Sequence, residues 1–123
     1  MSYLDVYIGR LDDPHFSWEG GNWNGNVPHA ISPRFPEGRT AFWELIKRIE
    51  SGELDGKQTD WGGWVARVTK AQIEEFIRDI HDAHPWYQSD SPMPHMKERL
   101  DALREFVATL KDDEKYALIA SEL

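Results

Sequence analysis

The stretch Trp64-Val65-Ala66-Arg67-Val68-Thr69-Lys70-Ala71-Gln72-Ile73-Glu74-Glu75-Phe76-Ile77-Arg78-Asp79-Ile80 changes its period halfway along. Up to Val68, Trp64, Ala66 and Val68 alternate with Val65 and Arg67, the two-residue period of a strand with one face buried. From Ile73 onward the apolar residues fall at 73, 76, 77 and 80, the spacing of a helix with one apolar stripe. Thr69 stands at the junction with Gln72 three residues later, a capping box in which each side chain bonds the other's backbone N–H. A strand running directly into a capped helix therefore sits at the centre of the chain.

Working outward, Phe42, Leu45, Ile46 and Ile49 form an earlier helical stripe, with Thr40 as its expected N-cap and Gly52 as its stop. Residues 53–63 between these units carry no apolar alternation and are expected to be a polar loop. Near the start, Leu4, Val6 and Ile8 alternate with Tyr3, Asp5 and Tyr7, a strand ended by the turn signal Asp12-Asp13-Pro14. Residues 15–38 are rich in Gly, Asn and Pro and are expected to be mostly irregular, with room for a short hairpin around Gly20–Gly25. Downstream, His84-Pro85 closes the second helix and a linker follows to Pro94. A third helix is expected from about His95 to Leu110, with Met96, Leu100, Leu103, Val107 and Leu110 facing inward. Tyr116, Leu118 and Ala120 alternate in a last strand, placed to pair with the first.

This order specifies one α+β domain over residues 1–123. A sheet of about three to five mainly antiparallel strands is covered by three amphipathic helices, and a long Trp/Gly/Asn-rich loop or hairpin lies near the N-terminus. The length of 123 residues, 40% hydrophobic and 29% charged, suits a single globular core. The chain has no cysteine, which excludes disulfides, zinc–thiolate sites and thiol catalysis. The start shows no basic segment followed by an apolar run, and no apolar stretch is long enough to span a bilayer, so a cytoplasmic location is expected. A net charge of −8 disfavours contact with nucleic-acid phosphates and favours a basic protein partner, although interleaved acids and bases also fit plain solvation.

Six tryptophans are the strongest compositional signal. Trp43 beside the first stripe and Trp64 in the central strand are expected in the core or at its edge. Trp18, Trp23, Trp61 and Trp86 fall among Gly, Asn, Asp or Pro. Together with Glu19, Asn22 and Asn24 they are the candidate binding residues, because exposed aromatic rings anchor interfaces and stack on sugars or bases. The competing reading makes the same rings a lid folded onto the sheet. Under the binding reading, Trp18→Ala or Trp23→Ala weakens partner capture and leaves unfolding nearly unchanged.

Catalytic signatures are weak. His15 and His29 bracket the Trp loop with Asp12, Asp13 and Glu19 near in sequence, and a His–carboxylate pair can exchange protons as a general acid and base. His81 and His84 share a helix turn, where they could join His95 in a zinc site or simply cap the helix end. No nucleophile elbow and no phosphate-binding loop is present, and neither catalytic residue, metal nor cofactor is assigned. The layout, an aromatic first strand, Trp-Val-x-x-Val-Thr leading into a capped helix, and a Tyr-Ala-Leu-Ile-Ala ending, resembles in style small accessory proteins of bacteria and their phages. The expected function is a non-enzymatic binding protein of the inhibitor, immunity or phage counter-defence type, acting on a protein through its Trp loops and acidic surface. The alternatives are a nucleotide- or sugar-binding module and a small metal-independent hydrolase or nuclease using loop His and carboxylates.

Overall fold

In a computed structural model of the chain, residues 4–14, 16, 18, 27–36, 38–59, 63–83 and 94–122 are described, without the side chains of 81–83 and 94–96. The alternating segments form strands β1 (Leu4–Gly9), β3 (Trp64–Thr69) and β4 (Lys115–Glu122), and the striped segments form helices α1 (Gly38–Glu50), α2 (Lys70–Ala83) and α3 (Pro94–Ala108). One further strand, β2 (Asp55–Gln58), lies in the segment expected to be a loop. The sheet is antiparallel throughout in the order β1-β4-β3-β2, so the first and last strands are neighbours, as their patterns predict.

The strand β2 escapes a sequence reading because it has no apolar alternation to betray it. It pairs Gly56 with Ala66 and Lys57 with Val65. Charge and close approach hold it instead. Arg67 Nη2 donates to Asp55 Oδ2 at 2.7 Å, directly across the strand pair. Gly56 lets α1 sit close, since a Cβ there would lie 2.8 Å from Ile49 Cγ1 and 2.8 Å from the Val65 carbonyl oxygen.

Strand period then separates two cores. Val6, Ile8, Ala66, Val68, Tyr116, Leu118 and Ala120 point to the helices, which answer with Phe42, Leu45, Ile49, Ile73, Phe76, Ile77, Leu100, Leu103 and Val107. The stripes of α1 and α2 are those the sequence predicts; on α3 Leu100, Leu103 and Val107 are buried, Leu110 lies past the helix end and is partly buried, and the Met96 side chain lies outside the described residues. The capping box also forms: Gln72 Oε1 accepts from the Thr69 N–H at 2.9 Å, and Thr69 Oγ1 accepts from the Gln72 N–H at 3.2 Å. The start of α1 differs from expectation, because the helix begins at Gly38 and Thr40 lies inside it. Gly52 stops α1 as foreseen, with a φ of 83° that favours a residue lacking Cβ. Arg48 ties α1 to α2, donating to Glu44 at 3.0 Å and to Asp79 at 2.7 Å while stacking over Phe76. Burial works against the charge of that guanidinium, but the Asp79 and Glu44 hydrogen bonds outweigh it and raise its pKa.

The opposite sheet face carries Tyr7, Val65, Ala117 and Ile119, and among the described residues no helix covers it. The chain after β1 covers it instead, with Phe16 buried against these residues and Leu11, Trp18 and Val27 packed around them. Residues 30–35 then run beside the free edge of β1, where Ile31 N–H donates to Ile8 O and Phe35 N–H donates to Val6 O, both at 2.8 Å.

Candidate functional site

Of the residues proposed from sequence for binding, Trp18 is described; Glu19, Asn22, Trp23, Asn24, Trp61 and Trp86 lie outside the described residues, as does the hairpin around Gly20–Gly25. Trp18 is half-buried on the second sheet face. Two cations from neighbouring strands stand over its ring. The Arg67 guanidinium carbon is 4.7 Å and Lys57 Nζ 5.0 Å from the ring centroid, while the same Nζ donates to the Trp18 carbonyl at 2.7 Å. The ring thus closes over the protein's own sheet, which is the lid arrangement. The signal was present in β3 and β2: the register puts Lys57, Val65 and Ile119 in one row and Asp55, Arg67 and Ala117 in the next, all on the face away from the helices.

Among the described tryptophans the one turned outward is Trp43. Trp43 on α1 is 57% exposed, against the expectation of a core or core-edge position, while Trp64 is half-buried against the main core as expected. The helical spacing explains Trp43. The buried stripe of α1 is Ala41, Phe42, Leu45, Ile46 and Ile49, and residue 43 falls beyond its edge, four residues from Arg39 and from Lys47. Both of those are exposed. The indole packs edge-on against Phe42, with centroids 5.2 Å apart and planes at 86°, which steadies it on the helix surface. The ring is thus exposed between two cations on a helix anchored in the core.

The loop histidines resolve in part. His29 Nδ1 lies 3.0 Å from Asp13 Oδ2, which also accepts the His29 backbone N–H at 2.9 Å. The Asp13 side chain is 10% exposed and that of His29 73%. A carboxylate held against Nδ1 orients the imidazole and favours the Nδ1–H tautomer. His15, His84 and the side chains of His81 and His95 lie outside the described residues. Among the described residues no three His, Asp or Glu side chains are grouped as a metal site would require, and no helix is long and apolar enough to cross a membrane.

Tyr7 sits at the margin of the second face. Burial pushes its phenol pKa up, opposed by the charge of Arg34 and a hydrogen bond with Ser121. Arg34 is engaged with Asp5 at 3.2 Å. This cluster reads as a satisfied edge to the small core. At the turn after β1, the Arg10 guanidinium grips Asp12 at 2.8 and 3.1 Å and holds its carboxyl below the ordinary range.

Comparison with known proteins gives no matching family model, no matching curated protein and no matching solved structure.

Proposed function

We propose that this chain is a non-enzymatic binding protein that works by protein–protein contact, with Trp43 on α1 as its anchor. The observation that carries the reading is the 57% exposure of Trp43 on a helix whose opposite face is built into the core. Trp and Arg are the side chains most enriched among residues that dominate interface energy, and here both lie on one helix face.

The flanking charges define the partner. Net charge alone favours a basic protein, but charges are screened beyond about 8 Å at physiological salt, so the groups around the anchor govern the contact. Arg39 and Lys47 fit an apolar pocket rimmed by carboxylates. A second copy fits poorly, because a two-fold contact through Trp43 would bring the cations of one α1 toward those of the other, in a chain that already carries −8. The segments 19–26, 60–62 and 84–93, with their own tryptophans, remain proposed contributors to the same kind of contact.

The test is affinity capture from the native host with wild-type protein, Trp43→Ala and Trp43→Phe. The reading expects a partner retained by wild type, lost by Trp43→Ala and partly recovered by Trp43→Phe, with all three unfolding alike. Capture indifferent to position 43 overturns it.

The Asp13–His29 pair favours a second reading, a metal-independent hydrolase. An oriented imidazole is a general acid–base group in need of a substrate. Asp13→Asn and His29→Ala should then abolish hydrolysis of an ester or phosphodiester panel that wild type cleaves; a wild-type protein inert on that panel removes the reading.

A further inference from the structure

The helix pair α2 and α3 encloses an open cavity of about 270 Å³ lined by Glu74, Ile77, Arg78, Arg104 and Val107. We infer that it is a binding site for a small phosphate monoester carried on an apolar body. Neither Trp18 nor Trp43 lines this site, and it stands independently of the proposed function.

The spacing builds it. Glu74, Ile77 and Arg78 occupy one face of α2 at i, i+3 and i+4, and Arg104 and Val107 occupy one face of α3 at i and i+3. Ile77 and Val107 are 3% and 2% exposed, so they form a dry apolar floor. Arg78 and Arg104 are exposed and stand above it. Arg10, Arg34, Arg48 and Arg67 each have a carboxylate in contact, Asp12, Asp5, Glu44 and Asp55 in turn. Neither Arg78 nor Arg104 has an ion-pair partner among the described residues, and Glu74, one turn from Arg78, does not close on it. Two like charges thus line one cavity with an apolar floor.

A dianionic phosphate answers both. Guanidinium presents planar pairs of N–H donors that match phosphate oxygens, and two such forks can hold one phosphate from opposite sides. The apolar floor takes the organic group, as ligand sites pair a few polar contacts with an apolar lining. Glu74 limits the choice, since its carboxylate repels a second anionic group on the ligand.

Phenyl phosphate is the probe, followed by amide chemical shifts and by calorimetry. Saturable binding with a Kd on the order of 1 mM or tighter is expected, with shifts concentrated at Ile77, Arg78, Arg104 and Val107. The double substitution Arg78→Gln with Arg104→Gln should weaken it roughly tenfold or more, since charge-assisted bonds are lost from both sides. Arg78→Lys with Arg104→Lys should fall between, keeping charge without the forks. Glu74→Gln should tighten binding, and inorganic phosphate should bind more weakly than phenyl phosphate. All substituted side chains are exposed charges, so unfolding should change little. The inference is overturned by the absence of saturable binding, by shifts centred elsewhere, or by affinity unchanged in the double Gln variant.

Discussion

Replacing Trp18 by Ala should destabilise the fold by about 2–4 kcal/mol. The ring is half-buried over Val65 and Ile119 beside Phe16 and Tyr7. A tryptophan side chain presents about 200 Å² to bury, and removing roughly 100–130 Å² from water contributes about 3 kcal/mol at ~25 cal/mol per Å². The cations over its face add about 0.5 kcal/mol each. One contact survives the substitution, because Lys57 bonds the Trp18 carbonyl and not its ring. That bond, and relaxation of the surface chain into the gap, keep the loss below the 3–5 kcal/mol typical of a fully buried Trp→Ala change. Urea unfolding measures it directly. For a domain of this size a melting temperature should fall by about 4 °C per kcal/mol, hence roughly 8–16 °C. Trp18→Phe should recover about half of the loss, and Arg67→Ala should cost under about 1 kcal/mol by comparison. A change smaller than about 0.5 kcal/mol in Trp18→Ala would refute the lid, because the ring would then hold nothing down.

Two further outcomes follow from local features. Thr69→Ala removes the hydroxyl that accepts the Gln72 N–H and should cost about 1 kcal/mol in urea unfolding, with Thr69→Ser restoring most of it. Burial raises the Tyr7 pKa above its ordinary 10.0, so the unfolded chain loses that proton at lower pH than the folded one. Stability should therefore decline as pH rises through about 10, and Tyr7→Phe should decline less steeply over the same range; parallel profiles would remove Tyr7 from the account.

Most of the fold is legible in the sequence because most of it is held by periodic apolar residues. The stripe Ile73, Phe76, Ile77 and Ile80 lies where a helical period puts it, and the Thr69–Gln72 box marks the junction within a residue. Strand β2 is illegible for the same reason inverted: Asp55, Gly56, Lys57 and Gln58 carry no apolar alternation, and their pairing depends on an Arg67 carboxylate contact and a close helix approach that only the assembled sheet supplies. The second sheet face was half legible. Tyr7, Val65 and Ile119 fall on it by alternation, but nothing in the sequence shows that Leu11, Phe16, Trp18 and Val27 are the residues that pack against it.

The exposures of Trp18 and Trp43 have a related cause. A glycine-rich neighbourhood leaves open whether Trp18 faces a partner or closes as a lid on the sheet, and a helical one places Trp43 in the core or at its edge, whereas burial follows position relative to the apolar residues of each face. Counting i±4 from Trp43 reaches Arg39 and Lys47, a signal that was available. For Trp18 the deciding neighbours, Lys57 and Arg67, are about 40 and 50 residues away in sequence and meet it only through the sheet register. His29 and Asp13 are likewise joined by the return of the chain along β1.

The central claim is that Trp43 contacts a partner while Trp18 serves the fold. Its most direct test is the affinity of the purified captured partner for wild type and Trp43→Ala, measured beside the melting curve of each. The account predicts a loss of about 2 kcal/mol or more in binding, roughly thirtyfold in Kd, with melting temperatures within about 2 °C of each other. Equal affinity of the two proteins, or a loss of stability in Trp43→Ala as large as that expected for Trp18→Ala, would contradict it.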